Sequence, residues 1–386
     1  MNHRIHAAPP QKHTKAGVGA AAQKNKARFG LIKRSECLVF YFRNGELHCK
    51  NYLTGIEVAS TPIIVSVLSV LKSWRQLSKI QDLLPGYSIV SIQRTIAKLR
   101  HHSLVQQKGS TQAGHEALLL KIWSTWGEDA RFFHFATKYA FRWGLPAKKQ
   151  KYSKAFLRAH PQPALLKRYP RAEQIALPNE SEKKDSEFER VLLSRRTHRR
   201  FAPGSISLAQ ISKLLDLTWG VKAHLQWPGL GRLLLKTSPS GGARHSLEVY
   251  LFALRVKGLP RGLYHYRADR NSLELLSRGA NQERAAKLCA GQDWIRGCSA
   301  LFVMTTVLPR VMWRYDFSRA YRVVLLEAGH FCQTFCLVAT WLGLGPFCTA
   351  ALVDPVLEKE LAVDGVSETV LYAAGVGPKI SGNRSN

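Results

Sequence analysis

One stretch constrains the fold more than any other: Ser238-Pro239-Ser240-Gly241-Gly242-Ala243-Arg244-His245-Ser246, running directly into Leu247-Glu248-Val249-Tyr250. Two adjacent glycines let backbone N–H groups approach a flat or anionic ligand, because no Cβ stands in the way. The apolar run from Leu247 to Val256 reads as a buried strand that holds such a turn rigidly. Alone, a Pro-Ser-Gly-Gly turn before a strand is most often only a turn. Its meaning depends on what else the chain carries.

The chain has 386 residues, enough for two or three domains, and its 45% hydrophobic and 22% charged content is that of a globular protein with a full core. The net charge of +31 is unusual and suggests an acidic partner such as nucleic acid, an anionic membrane or an acidic peptide. The basic excess runs through the whole sequence rather than marking one module, which weakens a dedicated nucleic-acid role. Cys37, Cys49, Cys289, Cys298, Cys332, Cys336 and Cys348 are odd in number and form no CxxC pair. That pattern argues against a disulfide framework and for a reducing, cytoplasmic setting. His330, Cys332 and Cys336 sit at spacings that could share a helix face and raise a metal site, yet no second ligand pair accompanies them, so buried thiols are expected. The most apolar segment, Tyr321 to Leu344, contains Arg322, Glu327, His330 and Gln333, too many polar groups for a lipid-facing span.

Residues 1–30 are Lys-, Gln- and Ala-rich without periodicity and read as a disordered basic arm. Residues 31–130 carry a hairpin around Asn44-Gly45, helical spacing over Ile63 to Leu71, Trp74 to Leu83 (capped by Ser73) and Ser88 to His101. Short strands are expected at Leu104-Val105-Gln106 and Ala117 to Ile122. That order is winged-helix-like. It raises DNA binding through Arg94, Lys98 and Arg100, against which stands a peptide-docking or purely architectural role. Residues 131–186 mix aromatics, cations and prolines, as a connector would. Residues 187–380 read as one α+β domain, without a repeated βαβ unit or a GxGxxG, and 381–386 as a tail.

Four elements of the 187–380 domain have ligand-binding character. The first is the cationic cluster Arg195, Arg196 and Arg199 with the Thr197 hydroxyl, since arginine forks match phosphate geometry. The second is the turn Ser240, Gly241, Gly242 and Arg244. The third is Trp313-Arg314-Tyr315-Asp316. The fourth is Leu342-Gly343-Leu344-Gly345-Pro346 together with Gly375-Val376-Gly377-Pro378-Lys379.

In this order, with Gly262-Leu263-Tyr264-His265-Tyr266 and Leu326-Glu327-Ala328-Gly329-His330, the chain resembles the nitroreductase-like flavoprotein superfamily, specifically its SagB/ThcOx-type dehydrogenase branch. The resemblance covers about 190–380 strongly and 35–140 more weakly. It implies a mixed sheet surrounded by helices, FMN at a homodimer interface, and a cyclase or leader-peptide partner. It places phosphate and ribityl on Arg195, Arg196 and Thr197, and Arg199 near the flavin N1/O2 edge, where a fixed cation stabilises charge formed on reduction. Ser240, Gly241, Gly242 and Arg244 line the other side, Gly345, Phe347 and Cys348 face N5, and Lys379 adds a phosphate contact. Azoline-oxidising members carry a Lys-Tyr pair ahead of the long helix; here it is Arg314-Tyr315. Arginine does not act as a base at physiological pH, so Tyr315 is the proton-transfer candidate and azoline oxidation itself is placed in doubt. A packed Tyr315 with a satisfied hydroxyl is the competing reading.

Three functions follow. The first is oxidation of a peptide or peptide-like substrate by hydride transfer to flavin, with O2 as reoxidant. The second is an NAD(P)H-dependent nitroreductase-type activity. The third is a non-catalytic peptide- or DNA-binding partner that keeps FMN as structure.

Overall fold

In the computed structural model, residues 30–138 and 186–380 are described, together with a few isolated positions between them. The basic arm, most of the connector and the C-terminal tail lie outside the described residues. The chain divides into two units, 1–121 and 122–386.

In the first unit β1 (Ile32–Arg34) precedes a three-stranded antiparallel meander, β2 (Leu38–Arg43), β3 (Glu46–Asn51) and β4 (Ile56–Ala59). Asn44 and Gly45 both take positive φ, 51° and 82°, the conformation of a two-residue hairpin turn that matches strand twist. Helices α1 (Pro62–Val70), α2 (Leu77–Asp82) and α3 (Ile89–His101) follow. The Ser88 hydroxyl caps α3 by accepting the Ser91 N–H at 3.2 Å. Ile64, Val67, Leu68, Ile80, Ile92, Ile96 and Leu99 form the core at helical spacing.

Three expectations are corrected here. The helix expected from Trp74 begins only at Leu77, because Arg75 and Ile32 exchange both backbone hydrogen bonds at 2.9 Å. β5 (Val105–Gln107) pairs antiparallel with β1 rather than with a following strand. The strand expected at Ala117 to Ile122 lies within helix α4 (Thr111–Trp123). Glu116, Leu119 and Trp123 are buried at i, i+3 and i+7, so the period is helical, not alternating.

The division between the units falls near the end of α4, ahead of the boundary expected at 130/131. Packing in the second unit accounts for this. Helix α5 (Gly127–Lys138) buries His134 and Phe135, which pack on Trp123, and Trp123 and His134 pack with Tyr321. The Lys138 ammonium lies 2.8 Å from the Glu358 carboxylate, both side chains almost fully buried.

Helices α6 (Glu187–Ser194) and α7 (Leu208–Trp219) flank the short strand β6 (Ile206–Ser207). Ser207 and Gln210 close a capping box that starts α7, and Gly220 ends it. The hairpin β7 (Ala223–Trp227) and β8 (Gly231–Leu235) leads to a short 3-10 turn, Gly241–Ala243. The remaining strands are β9 (Leu247–Ala253), β10 (Val256–Lys257), β11 (Gly262–Arg267), β12 (Ser272–Arg278), β13 (Ala300–Val307), β14 (Leu344–Thr349) and β15 (Glu368–Pro378). The helices among them are α8 (Gln282–Leu288), α9 (Leu308–Met312), α10 (Ala320–Trp341) and α11 (Asp354–Glu360).

The central sheet has six strands in the order β12-β11-β9-β13-β15-β14. Every pairing in it is antiparallel, and the parallel contribution expected of a mixed sheet is the separate pair β6–β10. Alternation along β9 divides the core. Val249, Leu251 and Ala253 face α7 and α10, whereas Tyr250 and Phe252 face Leu301, Val303, Phe347 and the α8 and α11 side. By length and composition α10 is apolar enough to cross a membrane. In this unit Val324, Ala328, Phe331, Phe335 and Ala339 are buried within the protein.

Candidate active site

The cationic segment after α6 is held against the sheet by its backbone. The His198 N–H donates to Pro346 O at 2.8 Å and the Ala202 N–H to Pro378 O at 3.0 Å. This pins residues 195–202 along the start of β14 and the end of β15, and so brings Arg195, Gly345 and Lys379 to one region. The Arg195 cation favours the Cys336 thiolate, whose pKa burial nevertheless pushes up to about 11. Burial, then the Lys379 charge, lowers the His198 pKa. A Cβ on Gly345 would stand 2.9 Å from His198 Cγ, so no other residue fits there without displacement.

The other members of this group point in different directions. Arg196 turns back and donates to Leu193 O and Arg195 O, both at 2.8 Å, satisfying carbonyls at the end of α6. The Arg199 guanidinium lies over Trp294, 5.3 Å from the ring centroid. Thr197 is exposed. The Phe347 side chain is buried between Phe201 and the bare backbone of Gly375. Cys348 is disulfide-bonded to Cys332, with the Cys336 sulfur 3.5 Å away. The disulfide corrects the sequence expectation: α10 and β14 are joined by a tight turn at Leu342-Gly343, which lays one cysteine of each against the other.

The glycine turn is laced to one face of α10. Ser238 Oγ and Thr334 Oγ1 are 2.7 Å apart, His330 Nδ1 lies 3.3 Å from Pro239 O, and the Ser240 hydroxyl donates to Glu327 Oε2 at 2.8 Å. A Cβ on Gly241 would meet Val323 Cγ1 at 2.4 Å. Val323, Glu327, His330 and Thr334 recur every three or four residues, one stripe of a helix. Beyond Gly241, Gly242 has φ 59° and a Cβ there would lie 2.8 Å from the Tyr315 hydroxyl. Ala243 and His245 also take positive φ, 52° and 43°, conformations costly for non-glycine residues.

Tyr315 is placed by its backbone, with its N–H on Val311 O at 2.9 Å and its C=O accepting Trp126 Nε1–H at 2.8 Å. Arg314 packs near its ring, 6.0 Å from guanidinium carbon to centroid. Arg244 donates to Gly242 O at 2.9 Å and stacks over Trp313. Trp313 and Phe317 are exposed on either side. The structure therefore brings together Ser240, Gly241, Gly242, Arg244, Arg314 and Tyr315 as one group, and Arg195, Gly345 and Lys379 as another, with α10 reaching both. The roles of Glu327, His198 and Val323 were not legible in sequence, because their partners lie about 80 to 150 residues away.

The donor set fits FMN. Arg195, Arg196, Arg199 and Lys379 form no ion pair among the described residues, which leaves cationic charge for a phosphate. At Gly345, Gly241 and Gly242 the missing side chains let the backbone pack directly against His198, Val323 and the Tyr315 hydroxyl.

Residues 192–378 match the model of the nitroreductase family. MJ1384 of Methanocaldococcus jannaschii, a nitroreductase by name, is 29% identical over 207 residues, 54% of this chain and 97% of that protein. The trifolitoxin-processing protein TfxB of Rhizobium leguminosarum bv. trifolii is 30% identical over 177 residues, 44% of this chain and under half (47%) of TfxB. A chain of the Escherichia coli microcin synthetase McbBCD complex, solved with truncated pro-MccB17 bound, superposes with a TM-score of 0.51 at 21% identity. It covers 69% of this chain and 94% of its own length, a likeness of fold.

Proposed function

We propose, from the premise that residues 192–378 are the FMN-dependent oxidoreductase domain of a nitroreductase-superfamily protein, that the chain oxidises a peptide or peptide-like substrate, as a SagB/ThcOx-type dehydrogenase does. The observation that carries this reading is the Tyr315 hydroxyl at the Gly242 backbone, flanked by exposed Trp313 and Phe317. An open aromatic approach suits an extended chain. The names of TfxB and of the McbBCD complex support a peptide substrate and a partner protein such as a cyclase or leader peptide.

In this reading Arg195 and Lys379 would hold the phosphate, with the Gly345 backbone packed on His198 beside them. Arg199, fixed over Trp294, would supply positive charge to stabilise the reduced cofactor. FMN, when bound, supplies two-electron acceptance. The Ser240–Arg244 turn would help to hold the cofactor, and Tyr315 would move a proton at its phenolic oxygen. Arg314 is a fixed cation beside that phenol.

The same reading includes a homodimer. Leu326, Trp341, Phe188 and Leu193 are exposed on α10 and α6, and Trp341 Nε1 donates to Glu187 at 2.9 Å, so the two helices form one apolar surface. Gly329 has nothing within 4 Å of a would-be Cβ, which leaves room for a second backbone.

The length match of MJ1384 favours a second reading, NAD(P)H-dependent nitroreductase chemistry. Anaerobic mixing of the FMN-loaded protein with azoline-bearing peptides, and separately with NADPH, distinguishes them. Bleaching of the flavin band by peptide supports the first reading, bleaching by NADPH alone the second. A protein that binds FMN and is reduced by neither refutes both.

A further inference from the structure

Glu327 sits in the middle of the stripe that holds the glycine turn, and it is the carboxylate of that row. It is 2% exposed. One carboxylate oxygen accepts the Ser240 hydroxyl, and the backbone N–H groups of Ser246 and Leu247 also face the carboxylate. The Ser240 oxygen in turn accepts the His245 N–H at 2.8 Å. That relay closes around Gly242, Ala243 and His245, all three at positive φ. A buried acid is unfavourable for the fold by itself, and burial raises the Glu327 pKa against these hydrogen bonds. Two residues with side chains are also held in a conformation they resist. Both costs fall on one short turn, the pattern of a site held in shape for a ligand rather than for stability.

We propose that Glu327 is a positioning residue for the cofactor turn: through the Ser240 hydroxyl it holds the Gly242–His245 backbone in the shape that receives FMN and keeps Gly242 against Tyr315. This rests on the reading that FMN binds at this turn. Neighbouring contacts fit the role. Val323 limits how far the turn can approach α10, and Thr334 and His330 fix its N-terminal end. Burial raises the Glu327 pKa, and the charge of the largely buried Lys236 opposes that by favouring the carboxylate. An acceptor, not a negative charge, is what the Ser240 hydroxyl requires, so glutamine at 327 keeps the relay and alanine removes it.

The test has two independent readouts. The first is FMN affinity of cofactor-free protein, followed by quenching of flavin fluorescence in wild type, Glu327→Gln, Glu327→Ala, Ser240→Ala and the double variant S240A/E327A. Glu327→Ala and Ser240→Ala should each weaken FMN tenfold or more, the double variant should be no weaker than either, and Glu327→Gln should stay within about threefold of wild type. The second is hydrogen exchange at the Gly241–Ser246 amides without FMN. It should accelerate tenfold or more in Glu327→Ala and Ser240→Ala but not in Glu327→Gln.

Additive losses in the double variant, or a Glu327→Gln as weak as Glu327→Ala, would overturn the proposal. So would unchanged exchange in Ser240→Ala, which also serves if Glu327→Ala does not fold. Wild type that takes up no FMN while the exchange pattern holds would refute the cofactor reading and leave the positioning relay standing.

Discussion

Gly241 and Val323 are packed so closely that a single methyl group on the glycine would stand 2.4 Å from Val323 Cγ1. Gly241 is not at positive φ, so its role is close approach rather than backbone freedom. Gly241→Ala should destabilise the protein by about 1–3 kcal/mol, the usual cost of overpacking. Val323→Ala in the same chain should recover part of that loss. Thermal unfolding of the two single variants and the double variant checks it, and additive losses would show that the clash is not the cause.

Tyr315→Phe should keep the fold and FMN content while lowering turnover by about 10²–10⁴-fold, the size of a lost general acid or base. Arg314→Lys should be tolerated, and Arg314→Ala should lose less than Tyr315→Phe. Single-turnover flavin reduction, normalised to bound FMN, measures this. Full activity in Tyr315→Phe would return this residue to a packing role.

Arg195→Ala should cost about 1.5–3 kcal/mol of FMN affinity, since a charge-assisted phosphate contact is lost. Arg199 is held over Trp294, 5.3 Å from its ring. Arg199→Ala should therefore lower the flavin reduction potential with a smaller effect on binding. Titration and potentiometry of both variants test this division, and identical behaviour would end it.

The His245 side chain is buried. Its Nε2–H donates to Leu234 O at 2.9 Å, and Nδ1 has no partner. Burial first, and Lys236 second, lower its pKa to about 4 from an ordinary 6.5. A depressed histidine favours the neutral form in the fold, so its contribution is intact above about pH 6.5 and is lost as pH falls towards 4. His134, lowered mainly by burial, acts in the same direction. The thermal midpoint of wild type should fall over that window, and fall less in His245→Asn, because asparagine tolerates positive φ. Equal pH slopes would exclude His245 as a source.

Lys138 and Glu358 form a pair buried from solvent, with Lys138 also donating to Gly365 O at 2.9 Å. Lys138→Met should leave an unpaired buried carboxylate and destabilise the second unit by about 3–5 kcal/mol. Denaturant unfolding would show this, and the double variant Lys138→Met/Glu358→Leu should recover most of it.

Local signals were enough for several elements. Leu208–Trp219 is bounded by Ser207 and Gly220, Ala300–Val307 opens on five apolar residues in a row, and Asn44-Gly45 supplies the two positive φ angles of its hairpin. Each of these depends on residues within a few positions of one another. The cationic and glycine-rich segments were legible for the same reason, as was the tyrosine ahead of the long helix.

What the sequence by itself determined, then, is the type of most segments, helix or strand, and which residue types are available for a flavin. Only the tertiary structure decided their partners. It turned 117–122 into helix by burying Leu119 and Trp123, paired β5 with β1, and bonded Cys332 to Cys348. It also set Ser238, Ser240 and Gly241 against Thr334, Glu327 and Val323. The physical reason is separation. Contacts closed over 80 or more residues depend on how the sheet and α10 pack, and no local propensity encodes that.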